Sequence, residues 1–550
     1  MTGKTHPLSM GQRSMWNLDR LIGGGPVHTL AWRVRLRGAL DEEALREAFV
    51  AVVDRHEPLR TRFAQDAGGP VAIVEDSAEP PMRVDDLRRL PDAARQAALR
   101  CAEDVATGFA LDRAPLLRAR LLRLDDDRYD LLVVVHHIVF DGISLDLLLD
   151  ELALAYGGGG TTRLEVSYAD AVTEERELLT GQRRVPLAAF WRERLAEAPP
   201  VVLPPPDREP AVERSWVSRT CARKLPDVSR FARGERCMPY VVYLAALNVL
   251  LSRLTGSSDV VVGTPVSSRH RARFERLVGY FVNTVVLRTE VADVSFRELV
   301  RRQRGIVFDA LDHQRLPFEA VVEEVRPGRT SGYSPLFQVL FALVEPTRKD
   351  VFADLGVDSV EPVDNNRSPF PLTFSVIDDH VQVEYAPALY DDATAERMAE
   401  QFAALLDAAL AGPDSTVGEL TAFVPAPARV GRPAEDAVQA AAGDENLIRV
   451  VRTVWSAHLH TEVTDPDADF VGLGGHSLVA SRIAIELREL FGLAEGLSDL
   501  TVFRAPTPRL LADHLAAALG ENASTEAEFV LQLLTMTDEQ AEEQLAREES

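Results

Sequence analysis

Short apolar runs alternate with amphipathic stretches along the first 424 residues of the chain. DEEALREAFVAVVDRHE (41–57) has apolar residues at helical spacing and an acidic first turn, which favours the start of a helix. LLVVV (131–135) is short and rich in β-branched residues, so it predicts a buried strand. SLDLLLDELALAYGGGG (144–160) predicts a helix that ends at glycines. The pattern therefore predicts a mixed α/β fold.

The same alternation of apolar runs and amphipathic stretches continues after a proline-rich stretch, PPVVLPPPDREP (199–210), which predicts a crossing or hinge. DVVVGTPV (259–266) and VNTVVLRTEV (282–291) predict strands, and YVVYLAALNVLLSRL (240–254) predicts a helix. A Pro/Ala/Gly-rich stretch near 424–445 lacks apolar periodicity and indicates a linker, after which NLIRVVRTVWSAHL opens a helical region. We expect a first lobe over 1–178, a second over 179–424, a linker over 425–444, a helical domain over 445–520 and an acidic tail over 521–550.

Length and charge narrow the classes of function. A chain of 550 residues is too long for one core, and its 46% hydrophobic and 26% charged residues are ordinary for globular proteins. The formal net charge of −25 disfavours binding to nucleic acid or to an anionic membrane. Cys101, Cys221 and Cys237 are too scattered for a disulfide framework. With no apolar leader at the start and no apolar stretch long enough to span a bilayer, we expect a cytoplasmic protein.

Two histidines follow the predicted strand in LLVVVHHIVFDGIS (131–144). Neighbouring side chains of a strand face opposite sides, so His136 and His137 should not converge on one metal ion, and no metal is expected. Two interpretations stay open from the residues alone. Either one imidazole is a core residue and the other is solvated, or one faces a cleft and moves a proton. In the second case the Asp141-Gly142 turn would hold the geometry, with Gly142 allowing close backbone approach or a positive φ.

The stretch HHIVFDG (136–142) resembles the HHxxxDG motif of condensation domains of nonribosomal peptide synthetases. Chloramphenicol and carnitine acyltransferases share a shorter form of that motif. Other stretches resemble the family's remaining motifs in the family's order: LSMGQRSMW (8–16), RHEPLRTRF (55–63), SYADAV (167–172), VGYFVNTVVLR (278–288), HQRLPFE (313–319) and SGYSPLFQVLF (331–341). The resemblance covers about residues 8–425. Met10-Gly11 departs from the first motif, where serine- or alanine-like residues are common.

The resemblance implies two chloramphenicol-acetyltransferase-like lobes in a V, with a tunnel that carrier proteins enter from both ends. It implies that His137 is the catalytic histidine, either as general base on the acceptor amine or as a group that orients it. His136 is then a packing residue. Asp141 is expected to pair with an arginine of the other lobe, and Arg269 stands where that arginine belongs. Two further residues match motif positions near the tunnel, Gly142 and Asn283.

A second motif lies in DADFVGLGGHSLVASRIAIELREL (467–490), where Ser477 precedes an amphipathic helix. A serine there is either a plain helix N-cap or a site for a phosphate at the helix start. DFVGLGGHSL resembles the carrier-protein signature DxFFxLGGxSL. The resemblance implies a peptidyl carrier domain, a small all-α four-helix bundle, with 4′-phosphopantetheine attached to Ser477.

Together these resemblances predict a condensation–carrier didomain, an acyltransferase that moves a carrier-bound acyl or peptidyl thioester onto an amine. No adenylation domain fits between the two regions, so the carrier should be loaded by a trans-acting adenylation domain. An upstream donor carrier protein and a phosphopantetheinyl transferase are expected partners. Two alternatives stay open: a free amine or an ester-forming hydroxyl as nucleophile, and a non-catalytic recruiting platform, against which His137 and Gly142 argue.

The last 30 residues, 521–550, carry nine acidic residues and one arginine. They also hold an apolar cluster that has no evident core in the sequence: Phe529, Val530, Leu531, Leu533, Leu534 and Met536. A short acidic amphipathic segment suits capture by a basic groove on a partner. We expect this tail to dock the downstream assembly-line enzyme and to be dispensable for the carrier fold. A solvated tail is the alternative.

Overall fold

The computed structural model describes residues 4–66, 69–160, 164–199, 203–207, 216–326, 334–344, 352, 355–422, 424, 444–459, 461–470, 473, 477–491, 493, 501–502, 505–520 and 523–535. The chain divides into two compact units, one of residues 1–325 and 336–428 and the other of 326–335 and 429–550. Each unit is described by itself.

The first unit contains all the strands of the described chain. They are β1 (Lys4–Pro7), β2 (Thr29–Arg37), β3 (Thr61–Asp66), β4 (Gly69–Val74), β5 (Met82–Asp86), β6 (Leu117–Arg123), β7 (Arg128–His136), β8 (Trp216–Val217), β9 (Arg219–Lys224), β10 (Asp259–Ser267), β11 (Val282–Glu290), β12 (Val339–Val344), β13 (Gly356–Pro362), β14 (Arg367–Ser368), β15 (Leu372–Ile377) and β16 (His380–Tyr385).

Twelve helices of the first unit and four of the second are described. Those of the first are α1 (Met10–Leu21), α2 (Glu42–Arg55), α3 (Ala93–Ala106), α4 (Gly142–Tyr156), α5 (Tyr168–Thr180), α6 (Arg184–Arg194), α7 (Ser229–Gly234), α8 (Pro239–Thr255), α9 (Phe296–Asp312), α10 (Phe318–Val325), α11 (Asp392–Ala411) and α12 (Val417–Leu420). Those of the second are α13 (Glu445–Leu459), α14 (Ser477–Leu490), α15 (Pro508–Leu519) and α16 (Ala523–Thr535).

The first large sheet has five strands in the order β13-β2-β7-β6-β5. β7 is buried from its second residue onward, because α2 and α4 contribute to the core on one face and α3 to the core on the other. A run of β-branched residues suits such a strand, since both faces must be apolar. The buried strand predicted from LLVVV is therefore confirmed, as are the helices predicted on either side of it.

The second large sheet has six strands in the order β11-β10-β12-β15-β16-β9, with parallel pairing between β10, β12 and β15. The predicted strands at 259–266 and 282–291 are β10 and β11, which pair antiparallel along their full length. The apolar stretch that predicted a buried helix is α8. It begins at Pro239 and is capped by Gly256 in the left-handed region at φ 72°.

The expected boundary between the lobes needs a correction. β13, from the second predicted lobe, joins the first sheet as the antiparallel edge partner of β2, with Val360 opposite Val34. Phe352 and Leu355 belong to the first core as well. β2 would otherwise present unpaired backbone groups at the sheet edge, and β13 satisfies them. Residues 179–424 are therefore not a self-contained lobe.

The second unit is built from helices around one core, in agreement with the predicted helical carrier domain. Its expected end at 520 is wrong, however. α16 packs against α13 and α15, and Ala527 and Val530 are fully buried in the core. α16 thus makes 13 of the 30 residues of the predicted tail helical, and its Ala523, Ala527 and Val530 complete the core of the bundle, whereas Phe529 is exposed. Residues 536–550, and residues 425–443 of the linker predicted over 425–444, lie outside the described residues.

Among the helices described, none has the length and apolar character needed to cross a membrane.

Candidate active site

His137 lies where β7 ends and a 3-10 turn, His137–Val139, begins. Its backbone N–H donates to the carbonyl of His28 at 2.8 Å, and its ring Nδ1 lies 2.6 Å from the carbonyl oxygen of Phe140. A carbonyl can only accept, so Nδ1 carries the ring proton and Nε2 keeps a free lone pair. Burial lowers the pKa of the imidazole below its usual 6.5, although the Phe140 carbonyl and Asp141 oppose the shift. The ring is therefore neutral near pH 7.

His136 is fully buried and has different surroundings. Its Nδ1 accepts a hydrogen bond from the backbone N–H of Ile138 at 3.1 Å, and its ring makes edge contacts with His28 and Phe109. The bond to Ile138 stabilises the 3-10 turn that carries His137. The structure thus places His136 in the core, as a support for its neighbour.

Asp19, His28 and His136 bring one carboxylate oxygen and two ring nitrogens within 4.8 Å of one another, a spacing that a metal site would allow. Because Nδ1 of His136 accepts a backbone N–H, the proton of its neutral ring sits on Nε2. That nitrogen lies 3.8 Å from the Asp19 carboxylate. A protonated nitrogen has no lone pair for a metal, so the cluster is suited to a weak N–H-to-carboxylate interaction.

Asp141 performs two structural tasks. It is the N-cap of α4, where its Oδ1 accepts the Ser144 N–H at 2.9 Å. It also forms the expected ion pair with Arg269, whose two terminal nitrogens lie 2.6 and 3.0 Å from the carboxylate oxygens. Both side chains are almost completely buried. The Phe281 N–H donates to the same carboxylate at 3.0 Å. The pair therefore joins the histidine turn to β11 and the loop before it.

Ser144 belongs to this network although sequence analysis did not select it. Its Oγ lies within 3.1 Å of the backbone N and O of Gly279 and 3.0 Å from Arg269. Its position three residues after the N-cap Asp141 was visible in the sequence. The contact with Gly279, 135 residues away, was not.

Gly142 corrects a local expectation. It is the first residue of α4, its φ is not positive, and a Cβ placed on it would meet nothing within 4 Å. Neither close backbone approach nor a left-handed conformation requires glycine there. The space next to Gly142 is free of protein atoms, and Gly142 belongs to the same HHIVFDG motif as His137.

Asn283 holds the HQRLPFE segment to β11. Its amide nitrogen donates to the carbonyls of Gln314 and Leu316, and its oxygen accepts the N–H of Phe318 at 2.9 Å. The side chain of Asn283 therefore faces polar backbone groups. Its hydrogen bonds go to the backbone of this segment and of its own strand, so Asn283 stabilises the HQRLPFE segment.

Tyr280 is a second residue that sequence analysis missed. Its ring meets that of His137 edge-on, with centroids 5.2 Å apart and planes at 82°. Tyr280 follows the buried Gly279 in the fifth motif, VGYFVNT, and the motif match alone does not reveal a contact with the histidine.

In the second unit, α14 begins at Ser477. The first turn of a helix has backbone N–H groups without intrahelical partners, which suits a phosphate attached there. The chemistry of this position therefore fits 4′-phosphopantetheine. Residues 474–476 lie outside the described part of the chain.

Comparison with known proteins identifies both regions. The condensation domain family matches residues 3–428, and the phosphopantetheine attachment site family matches residues 449–515. Phosphinothricin tripeptide synthetase PhsC of Streptomyces viridochromogenes is 38% identical over 429 residues, which are 74% of this chain and 39% of that protein. A dimodular nonribosomal peptide synthase of Bacillus subtilis is 34% identical over 454 residues, which are 76% of this chain and 19% of that protein. The chain thus spans well under half the length of these relatives.

Solved structures share the fold of the first unit. The X-domain from teicoplanin biosynthesis superposes with a TM-score of 0.67 and 26% identity over 75% of this chain and 96% of that one. The first condensation domain of the calcium-dependent antibiotic synthetase has a TM-score of 0.66 and 24% identity over 76% of this chain and 99% of that one, a likeness of fold alone.

Proposed function

The chain belongs to the condensation-domain family of nonribosomal peptide synthetases and carries a phosphopantetheine attachment domain, and from that premise we propose its specific reaction. It transfers an acyl or peptidyl group from an upstream donor carrier to an amine held on its own carrier domain, and forms an amide. The observation that carries this proposal is the tautomer of His137, whose Nδ1–H donates to Phe140 and leaves Nε2 as a base.

The neutral ring favours general base catalysis over electrostatic stabilisation by a charged imidazolium. His137 Nε2 takes a proton from the acceptor amine while the amine nitrogen attacks the carbonyl carbon of the donor thioester. The C–N bond forms, the C–S bond of the donor thioester breaks, and the proton ends on the departing thiol. The phosphopantetheine arm, when attached at Ser477, supplies the thiol that holds the acceptor as a thioester. Asp141, Ser144 and Arg269 hold the histidine turn against the loop that precedes β11.

We propose that an adenylation domain outside residues 1–550 loads the carrier. Only about 20 residues separate the two matched regions, too few for an adenylation domain. The partners are then a trans-acting adenylation domain, a phosphopantetheinyl transferase, the upstream donor carrier and the next enzyme of the assembly line.

Mass spectrometry of the carrier tests this proposal. The protein is phosphopantetheinylated, offered a panel of amino acids with trans adenylation enzymes, and then given an acyl-loaded donor carrier. We expect a mass gain on Ser477, then an aminoacyl gain, then an acyl gain that requires His137. Ser477→Ala should prevent all three gains, whereas His137→Ala should prevent only the last. An acyl gain that is independent of His137 would refute the role of His137 as general base.

The chemical nature of the product distinguishes the three possible nucleophiles, which are a carrier-bound amine, a free amine and a hydroxyl. The product is first detected on the carrier, where the product of a free amine would be missing. It is then released with mild base, which cleaves the thioester to the arm and any ester in the product but spares an amide. An amide that stays on Ser477 is the expected result.

A non-catalytic recruiting platform is the second candidate, because the X-domain that shares this fold has been solved in complex with OxyB. That platform would bind a partner enzyme and transfer no acyl group. The intact His137 and Gly142 support the catalytic candidate, and turnover with loaded carriers decides between them.

A further inference from the structure

Gly11, the departure from the first motif, lies against the ring of Tyr280. A Cβ built on Gly11 would stand 2.6 Å from Cε1 of Tyr280, a distance that carbon atoms do not tolerate. Only glycine at position 11 therefore leaves room for the ring where it lies. Gly11 belongs to α1, and Tyr280 precedes β11, so this fit joins two distant parts of the first unit.

The backbone on both sides of Tyr280 is fastened. The Tyr280 carbonyl accepts the hydroxyl of Tyr168 at 2.7 Å. Phe281 donates its N–H to Asp141, and Gly279 bonds to Ser144 through both its backbone N and O. The same network that positions the histidine turn thus also positions Tyr280.

A cavity of about 110 Å³ lies beside this ring. Its lining includes Gly11, Tyr168, Glu175, Tyr280, Phe281 and Glu319. Tyr280 therefore has two neighbours, because it lines this cavity and its ring also contacts the ring of His137. Removal of the ring would therefore free volume next to both the cavity and His137.

We infer that Tyr280, seated against Gly11, is a specificity-determining residue that restricts the acceptor amine to one with a small substituent on the carbon that bears the nitrogen. The inference rests on the proposed function, in which His137 meets the acceptor amine. An aromatic ring beside the base occupies the volume that a branched or aromatic side chain of the acceptor would need. Acceptors of the glycyl or alanyl class fit, and leucyl or phenylalanyl acceptors do not.

A competition experiment tests the inference. Glycyl, alanyl, leucyl and phenylalanyl groups are attached to the full-length protein as aminoacyl-phosphopantetheine, and transfer from one acyl-loaded donor carrier is followed by mass spectrometry. The unaltered protein should favour the two small acceptors over leucyl by about tenfold or more, the discrimination typical of a shaped pocket. Tyr280→Ala should reduce that ratio by about the same factor.

Phe274→Ala is the matched control. Phe274 lines the same cavity and packs against Phe281, so its truncation enlarges the cavity but leaves the ring contact between Tyr280 and His137 in place. Its preference ratio should match that of the unaltered protein. A ratio that shifts as much in Phe274→Ala as in Tyr280→Ala would overturn the specific role of Tyr280.

Gly11→Ala tests the fit without relying on turnover. The added methyl should lower the melting temperature in the unaltered background, because it collides with the ring, and have little effect in the Tyr280→Ala background. Equal effects in both backgrounds would refute the packing on which the inference depends.

Different outcomes refute the proposed condensation reaction and the role of Tyr280 in acceptor choice. A protein that transfers to none of the four acceptors refutes the proposed function and the inference with it. A protein that condenses normally, but whose preference Tyr280→Ala leaves unchanged, refutes the inference alone.

Discussion

His136 and His137 are adjacent in sequence, yet their rings have different surroundings and different hydrogen-bond roles. The strand ends between them, so the first ring stays in the core and the second sits on a 3-10 turn. Nδ1 of His136 accepts from Ile138, whereas Nδ1 of His137 donates to Phe140. Of these two rings, therefore, only that of His137 keeps an unprotonated Nε2 that can act as a base.

Replacement of His137 should lower the rate of amide formation by about 10²-fold or more, the size typical of a positioned base. His137→Asn is the sharper variant, because its amide can still donate to the Phe140 carbonyl but has no basic nitrogen. Single-turnover transfer from a loaded donor carrier measures the effect. A His137→Asn protein that turns over like the unaltered one would contradict the base role.

The pH dependence follows from the lowered pKa of His137. Because burial favours the neutral ring, Nε2 stays unprotonated below the usual 6.5, and the rate should fall only at more acidic pH. The unfolded chain takes up this proton near pH 6.5 and the folded chain does not, so this group also lowers folding stability as the pH drops below 6.5. A rate that halves at or above pH 6.5 would contradict the shift.

Loss of Asp141 should be severe because Arg269 would then be buried without its carboxylate. Removing one partner of a buried pair costs about 3–5 kcal/mol. Asp141→Ala should therefore lower the free energy of unfolding by that amount and reduce transfer. The double variant Asp141→Ala/Arg269→Met should recover part of the stability, since no unpaired charge remains. An unchanged melting temperature in Asp141→Ala would show that the pair is not structural.

Gly142→Ala should separate stability from catalysis. The added methyl meets no protein atom within 4 Å, and alanine is at least as good as glycine in a helix. The melting temperature should therefore hold or rise slightly. If the open space is used by substrate, transfer should drop at least tenfold. Normal transfer would place the substrate elsewhere.

At the scale of elements, two segments belong to structures other than those their position in the sequence suggested. β13 completes the first sheet beside β2, and α16 completes the core of the second unit. In each case a neighbouring element had an edge or apolar face to cover, and the chain covers it with a later segment.

Two truncations test the assignment of α16. Deletion of 536–550 should leave the carrier unit's melting temperature and phosphopantetheinylation unchanged. Deletion of 521–550 should destabilise that unit by several kcal/mol, because it exposes the partners of Ala523, Ala527 and Val530, which are buried in the core. Equal stability of the two truncated proteins would show that α16 is dispensable.

At the scale of the whole molecule, a net charge of −25 favours partners with basic surfaces. Residues 536–550 hold six of the nine acidic residues of the predicted docking segment. Their deletion should weaken transfer to the downstream enzyme, and more at low salt, where charge attraction is less screened. Transfer at limiting concentration measures this. Equal transfer by both proteins at low salt would leave the segment without a docking role.

The sequence by itself predicted several of the helices and strands, the presence of two regions and the family that each resembles. Those features rest on local periodicity and on contiguous motifs such as HHIVFDG and LGGHSL, which can be identified without any knowledge of distant contacts. It also pointed to the Asp141–Arg269 pair, but only through the resemblance to a family.

Only the tertiary structure decided the rest, because the remaining facts are contacts between residues far apart in the chain. The tautomer of His137 depends on where the Phe140 carbonyl turns, and the role of Ser144 depends on Gly279. The reason for Gly11 is a ring 269 positions later, and no local pattern at Met10-Gly11 contains that information. Packing at a site is set by the three-dimensional neighbours of each side chain, and hydrophobic periodicity records only which side of an element faces inward.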